Sequence, residues 1–376
     1  MRKVVILTGT RADFGKLKPI MSKLEASPEF ELHIFATGMH LNPLYGNTIR
    51  EVQKCGFKNI YPYVNHTNAS TMDQILAQTV AGFSNYIGLN RPDLIVIHGD
   101  RCEALAGALV GALNNIRVAH IEGGEVSGTI DDSIRHSISK LSHVHFVANQ
   151  RAEKRLLQMG EKADTIHVIG SPDTDIIVRD DLPTLREAKD RYDISFEDYA
   201  LLIYHPVTTE IESAHDNAKQ IVQAALSSGD NFIVIYPNND HGSEFILEQY
   251  RQLIEHPRFR VFPSIRFEHF LTLLKGADYL LGNSSCGIHE APYYGVPMVN
   301  VGSRQNNRAL TNDIIDVPDN KEAILAGIKE ASQLELEPIS LNGKGESSKL
   351  FLDAISRSDF WGNSTQKSFV DLSLVA

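Results

Sequence analysis

Short apolar, β-branched runs alternate along this chain with longer stretches of mixed polarity. The first run is Val4-Val-Ile-Leu7. It is followed by Leu32–Ala36, Leu94–Ile97, Val118–Ile121, Val144–Val147 and Ile166–Ile169. These runs show little strict alternation, which fits strands covered by helices on both faces of a parallel sheet. After the first run, Leu17, Ile20, Met21 and Leu24 form one helical stripe. Pro19 stands inside that stretch and is expected near the helix start, because a proline deeper in a helix loses a hydrogen bond and crowds the preceding turn.

The pattern starts afresh after residue 180, with Ala200–Tyr204, Phe232–Tyr236, a shorter Arg260–Phe262, Tyr279–Leu281 and Met298–Val301. Between the halves lie Gly170-Ser-Pro-Asp and a polar stretch with Asp180, Asp181 and Pro183. Such a stretch reads as a linker, at roughly 170 to 190. The expected fold class is α/β, with two Rossmann-like domains and a cleft between them. The first domain is placed at 1–175 and the second at 185–350. A final helical pattern at about 347–358 and a tail with Trp361, 351–376, are expected to cross back to the first domain. No repeat of solenoid period occurs.

The chain's 376 residues suffice for two domains, and its 42% apolar content can fill two cores without disulfide or metal staples. Thirty-six Lys and Arg against 47 Asp and Glu leave a formal charge of -11. That balance argues against nucleic acid or an anionic membrane as partner, since both are bound largely by neutralising phosphates. A local basic pocket for a small phosphate compound is still compatible with it. Cys55, Cys102 and Cys286 form no CxxC or zinc pattern. With neither a signal peptide nor an apolar stretch of about 20 residues, a cytoplasmic protein is the expectation.

Chemistry-bearing residues cluster where the runs end. Thr8-Gly-Thr-Arg-Ala-Asp-Phe-Gly15 follows the first strand, where a doubly wound sheet places ligands, and Arg11 offers a planar fork to phosphate. Neither a dinucleotide fingerprint nor an ATPase phosphate loop is present. His98-Gly-Asp-Arg-Cys-Glu103 sends Asp100 and Arg101 off the end of another strand, with helix capping as the alternative use of Asp100. His120-Ile-Glu-Gly-Gly-Glu125 puts Glu122 at the next strand end. Asp131 and Asp132 open a helix whose dipole they could simply complement. Carboxylates crowded into one crevice have pKa values pushed apart, which suits one to act as acid and another as base. They could also hold a divalent ion with His98, His120 or His136, but no spacing is a strong metal signature, so no metal is assigned.

In the second half His205 follows the first strand and is a candidate proton carrier or pyrophosphate donor. Gly282-Asn-Ser-Ser-Cys-Gly-Ile-His-Glu-Ala-Pro292 offers Ser284, Ser285 and the backbone around Gly287 to a phosphate at a helix N-terminus. Glu290 would lie one to two turns into that helix, in reach of ribose hydroxyls. Cys286, with no base beside it, reads as packing. Arg304 ends a further strand as another cation.

Taken in order, TGTRADFGKLKP at 8–19, HGDR at 98–101, HIEGGEVSGTIDDSIRH at 120–136 and NSSCGIHEAP at 283–292 resemble the UDP-N-acetylglucosamine 2-epimerase family over essentially the whole chain. The likeness is to its hydrolysing branch, which makes N-acetylmannosamine for sialic acid synthesis. The non-hydrolysing branch typically reads FGTRPE, EAGLRT, PEEANR and GHRRE where this chain has TGTRAD, EGGEVS, IDDSIR and YHPVTTE. The resemblance implies a fold like that of the B-type glycosyltransferases, with the active site between the domains. It places catalytic acids on Asp100, Glu122 and Asp131 and the second-domain histidine on His205. Arg11 and Arg101 match phosphate or active-site arginines, and Ser284, Ser285 and Glu290 match diphosphate and ribose contacts.

The implied reaction takes UDP-N-acetylglucosamine, eliminates UDP to give 2-acetamidoglucal, and adds water to give N-acetylmannosamine. No cofactor is implied, since C2 is inverted without oxidation. A homodimer or homotetramer is expected. Four other readings stay open: the same chemistry on a 2,4-diacetamido-2,4,6-trideoxy UDP-sugar, a non-hydrolysing epimerase, a UDP-sugar glycosyltransferase, and a nonenzymatic nucleotide-sugar sensor. Fold likeness alone does not separate them.

Overall fold

The computed structural model describes residues 1–66, 70–305, 314–340, 342–362, 364–368 and 370–371. The chain forms two compact α/β units. One comprises Met1–Glu125, Asp131–Arg179 and Asn342–Ala376, and the other Val126–Ile130 and Asp180–Leu341.

The first unit is built on a seven-stranded sheet of β1 (Arg2–Thr8), β2 (Phe30–Ala36), β3 (Ile60–Pro62), β4 (Leu94–His98), β5 (Arg117–Ile121), β6 (Val144–Val147) and β7 (Ile166–Val168). All neighbours are parallel, in the order β3-β2-β1-β4-β5-β6-β7. One apolar cluster, around Val4, Ile6, Ile34 and Val96, includes the helix residues Leu17, Ile20, Met21 and Leu24. A second, around Val5, Leu7, Ile95 and Ile97, includes Phe83 and Ala108. Alternate residues of the same strands thus feed the two clusters, which is why those strands read as unbroken apolar runs.

The helix Arg11–Ala26 starts where the Thr10 side chain accepts the Asp13 N–H. Pro19 lies in its middle, not near its start as its sequence position suggested. Buried Leu17 on one side and Ile20, Met21 and Leu24 on the other hold the helix to the core across the missing hydrogen bond.

The second unit has six parallel strands: β8 (Ala200–Ile203), β9 (Phe232–Ile235), β10 (Phe259–Phe262), β11 (Leu280–Gly282), β12 (Met298–Val301) and β13 (Ile314–Val317). Their order is β10-β9-β8-β11-β12-β13. The strand order therefore reverses direction between β1 and β4 in one unit and between β8 and β11 in the other. Each reversal opens a crevice at the carboxyl ends of the strands.

The unit boundaries have local causes. The backbone of Gly128 lies so close to the Arg304 carbonyl that a Cβ would stand 2.5 Å from its oxygen, which ties Val126–Ile130 to the second unit. The return to the first unit begins at Asn342, before residue 351. Its carbonyl accepts the Ser171 N–H at 2.7 Å, and the Asp175 carboxylate takes the N–H groups of Ser347 and Ser348 at 2.7 and 2.8 Å. The helix Ser347–Ser356 packs on Arg11–Ala26, and a separate turn, Ser358–Gly362, follows it. There Trp361 donates to the Ile355 carbonyl and lies under the Arg2 guanidinium, 4.0 Å from the ring centre. Among the described residues no helix is long and apolar enough to cross a membrane.

Candidate functional site

In the first unit the crevice between β1 and β4 is spanned by charged side chains. His98 is the last residue of β4, and its Nδ1 lies 3.1 Å from Asp13 Oδ1 in the helix that follows β1. Its Nε2 lies 3.1 Å from Glu122 Oε2, just beyond β5. The register explains the meeting: His98 pairs with Ile121, so Glu122 comes next along the neighbouring strand. Asp13 is fixed in turn by the Gly9 N–H on Oδ2 at 3.1 Å. Burial works against a charge on His98, but Glu122 and Asp13 outweigh it and raise its pKa to about 10.

Glu122 holds a left-handed backbone, with φ of 62°, which a non-glycine residue adopts at a cost of about 1–3 kcal/mol. The surrounding structure enforces it. Its N–H donates to the Phe146 carbonyl at 2.9 Å, and its own carbonyl accepts from the Arg135 guanidinium at 2.7 Å. Its Oε1 accepts the Ser171 hydroxyl at 2.5 Å. Gly124 beside it approaches the chain itself: a Cβ there would lie 2.3 Å from the Ala152 carbonyl oxygen.

The helix Cys102–Leu113 has Arg101 at its N-cap, and just before it stands Asp100. Its carboxylate pairs with buried Arg135, which thus ties Asp100 to the Glu122 carbonyl. Burial opposes the Arg135 charge, but Asp100, then Glu122, Glu125 and Asp131, more than offset it and raise its pKa. Asp131 lies in the first turn of the helix Ile130–Leu141 that also carries Arg135. Arg11 pairs with Glu51 at 2.7 Å, and Arg101 Nε lies 3.4 Å from Glu103 Oε2. Among the described residues no group of three His, Cys, Asp or Glu side chains is arranged to hold a metal ion.

In the second unit the crevice between β8 and β11 is bridged by an amide. The Asn283 side chain accepts the His205 N–H at 2.7 Å and donates to the His205 carbonyl at 2.9 Å. His205 Nδ1 accepts the Asn238 N–H at 3.0 Å, which makes Nε2 the donor of the neutral ring. Arg304 and Gln305 both donate to the Asn283 carbonyl, at 3.1 and 2.7 Å. These bonds hold a set of donors around the end of the sheet.

The Ser284–Glu290 segment differs in part from its sequence reading. The helix there is one turn, Cys286–His289, and Glu290, about one turn in, is its buried C-cap. Pro292 follows and a 3₁₀ turn, Ala291–Tyr294, takes over. The first N–H groups face the chain's own oxygens: Cys286 donates to Ser284 Oγ, Gly287 to the Ser284 carbonyl and Ile288 to that of Ser285. Gly287 is required by packing, because a Cβ would sit 2.0 Å from Met298 Sδ. Buried Cys286 Sγ lies 3.1 Å from Ser284 Oγ.

The structure therefore brings Asp100 and Glu122 together through Arg135, groups Asp131 with the same helix, and sets His205 beside Asn283 and Arg304. Asp13, His98, Arg135, Ser171, Asn283 and Gln305 complete these arrangements without having been assigned as binding or catalytic residues from sequence.

The sequence profile of the UDP-N-acetylglucosamine 2-epimerase family matches residues 22–356. A UDP-N-acetylglucosamine 2-epimerase of Neisseria meningitidis serogroup B is 47% identical, over 100% of both chains. A hydrolysing UDP-N,N'-diacetylbacillosamine 2-epimerase of Legionella pneumophila is 40% identical, over 88% of this chain and 89% of its own. A crystal structure of the Methanocaldococcus jannaschii UDP-N-acetylglucosamine 2-epimerase, in complex with UDP-N-acetylglucosamine and UDP, superposes with a TM-score of 0.79. It covers 94% of this chain and 99% of that one, at 21% identity, and shares the fold.

Proposed function

Because the chain belongs to the UDP-N-acetylglucosamine 2-epimerase family, we propose that it is a hydrolysing 2-epimerase that converts UDP-N-acetylglucosamine to UDP and N-acetylmannosamine. The observation that carries the reading is the pair Asp100 and Glu122 at neighbouring strand ends, each with its own buried cation, Arg135 and His98. Such a pair suits two proton transfers on one sugar.

The C2 proton is weakly acidic, so its removal must be coupled to departure of the leaving group. Asp100 takes that proton as the C1–O bond to UDP breaks, and the freed electron pair forms the C1=C2 bond of 2-acetamidoglucal. Water then adds at C1 and a proton reaches C2 from the opposite face, handled by Glu122 and Asp131. His205 and Arg304 steady the charge growing on UDP, with Arg11 and Arg101 as further cations. The hydroxyls of Ser284 and Ser285 and the Glu290 carboxylate contact the diphosphate and ribose. The route inverts C2 without a redox cofactor.

A second reading rests on the Legionella relative: the same chemistry on UDP-N,N'-diacetylbacillosamine, whose sugar is a 2,4-diacetamido-2,4,6-trideoxyglucose. Proton NMR in deuterated water, with UDP-N-acetylglucosamine as substrate, separates the two. Equal amounts of UDP and N-acetylmannosamine deuterated at C2 are expected. UDP-N-acetylmannosamine would mean a non-hydrolysing enzyme. No conversion would move the reading to the diacetamido sugar, and inactivity on both would sink it.

A further inference from the structure

The 2-epimerase reading leaves open how Glu122 is held in one protonation state. Its Oε2 faces His98 Nε2 at 3.1 Å, while the other ring nitrogen faces Asp13 Oδ1 at 3.1 Å. A carboxylate only accepts, and a neutral imidazole donates from one nitrogen alone. These contacts are ion pairs and not hydrogen bonds, since neither His98 Nε2 nor Asp13 Oδ1 has a hydrogen-bond partner, and two ionised carboxylates facing one ring favour the doubly protonated imidazolium. All three side chains are largely buried, so the ion chain is little screened.

We propose that His98 is the positioning residue of Glu122: as an imidazolium clamped by Asp13, it holds the Glu122 carboxylate oriented and ionised, so that Glu122 accepts a proton during hydration. This inference rests on the 2-epimerase reading. The step balances as follows. The C1=C2 electron pair of the glucal takes a proton at C2 from the acid on the opposite face. Water forms the new C1–O bond, and its surplus proton passes to Glu122.

The other groups around His98 agree with this assignment. His120, on β5, is pushed by burial down to about 3 and is neutral, with Nε2 2.7 Å from the Gly99 carbonyl oxygen. Arg135, from the helix Ile130–Leu141, pairs with Asp100 and donates to the Glu122 carbonyl, and the Glu122 charge acts on it as well. Ser171 adds a neutral donor to the remaining carboxylate oxygen. His98 is thus a cation paired with the Glu122 carboxylate, and Glu122 and Asp13 together keep it charged.

The test compares the wild type with His98→Asn and Asp13→Asn. In His98→Asn the acid limb of the kcat/KM profile should move up by about one pH unit. At neutral pH kcat should fall roughly a hundredfold while KM is held. Asp13→Asn should move the limb the same way by less, and covers the case in which His98→Asn does not fold. A fall in rate that is equal at every pH, with the limb unmoved, would overturn the proposal, because a purely structural loss behaves that way. Nitrogen-15 NMR of histidine-labelled protein tests the ion chain without turnover. Both His98 ring nitrogens should be protonated at pH 8 in the wild type, and a neutral ring there would overturn the proposal. Wild-type inactivity on both UDP-sugars would instead overturn the epimerase reading, and with it the assignment of the proton to Glu122.

Discussion

The two crevices occupy equivalent places in their sheets and are bridged by opposite means. Between β1 and β4 the link is ionic, Asp13 to His98 to Glu122. Between β8 and β11 it is a neutral amide, Asn283, fastened to the backbone of His205. An ionic link fixes protonation states as well as positions, and its strength follows pH. An amide has no protonation to change, so it fixes shape alone. Under the proposed reaction the first unit moves protons and the second holds a charged leaving group. Each bridge has the chemistry its task needs.

The largest effect should come from breaking the ionic side. Glu122→Gln keeps the shape of the side chain and removes its proton acceptor, and kcat should fall by roughly 10²–10⁴-fold. Steady-state kinetics beside a thermal melt check this. A loss of fold without any specific loss of rate would show that the ionic bridge is structural.

Breaking the amide side should cost mainly stability. Asn283→Leu strands the buried N–H and carbonyl of His205, at about 3 kcal/mol. Chemical denaturation measures that loss, and calorimetry should find UDP affinity weakened with it. Unchanged UDP binding in a folded variant would separate Asn283 from the leaving-group site.

The pH dependence of stability sharpens the contrast. Burial lowers His40 to about 4 and His120 to about 3, so both are neutral in the folded first unit. Once unfolded they take protons near the ordinary 6.5. The unfolded state therefore binds more protons below pH 6.5, and stability falls as pH drops, by roughly 2 kcal/mol per histidine at pH 5. His98 has the opposite sign. Its contribution is complete below 6.5 and is lost as pH rises through about 10. Melting temperatures at pH 5, 7.5 and 10.5 should peak in the middle, and a flat series would contradict both assignments.

The smallest effect lies at the other end of the first sheet, where another Glu–His pair has a different balance. Glu161 is shared by His145, Lys140 and Lys367. Burial alone would raise its pKa, but His145 and the two lysines bring it down to about 2. With the lysines supplying the cations, burial lowers the pKa of His145. The same two residue types thus give a charged histidine between two carboxylates and a neutral one among lysines. Lys367→Met should cost about 1 kcal/mol by denaturant titration and leave kcat unchanged.

The apolar runs made the central strands legible, because β1, β4, β8 and β9 are buried on both faces and carry no competing signal. The edge strands β3 and β13 were not. Ile60-Tyr-Pro62 is short and partly exposed, and Ile314–Val317 includes an exposed Asp316. In the site, Asp100 and Glu122 stood out because each follows a strand end. Arg135 and Asp13 did not, since each meets its partner only through the sheet's order. His98 was weighed only as a helper for a metal. Its closeness to Glu122 follows from parallel register, a signal that becomes usable once β4 and β5 are known to be neighbours. The helix at Cys286 is held to one turn by Pro292, which supplies no N–H to carry it on, a signal present in the sequence and not used there.

The return of the chain at Asn342 has a consequence for the order of synthesis. Phe351, Ile355 and Phe360 belong to the same apolar cluster as Val4 and Ile6, so the unit begun first on the ribosome is finished last. The cluster of the second unit draws only on residues 200–331 and is complete earlier. A nascent chain paused before residue 342 would carry one finished unit and one whose first sheet still lacks part of its cover, the state in which exposed apolar surface most needs a chaperone.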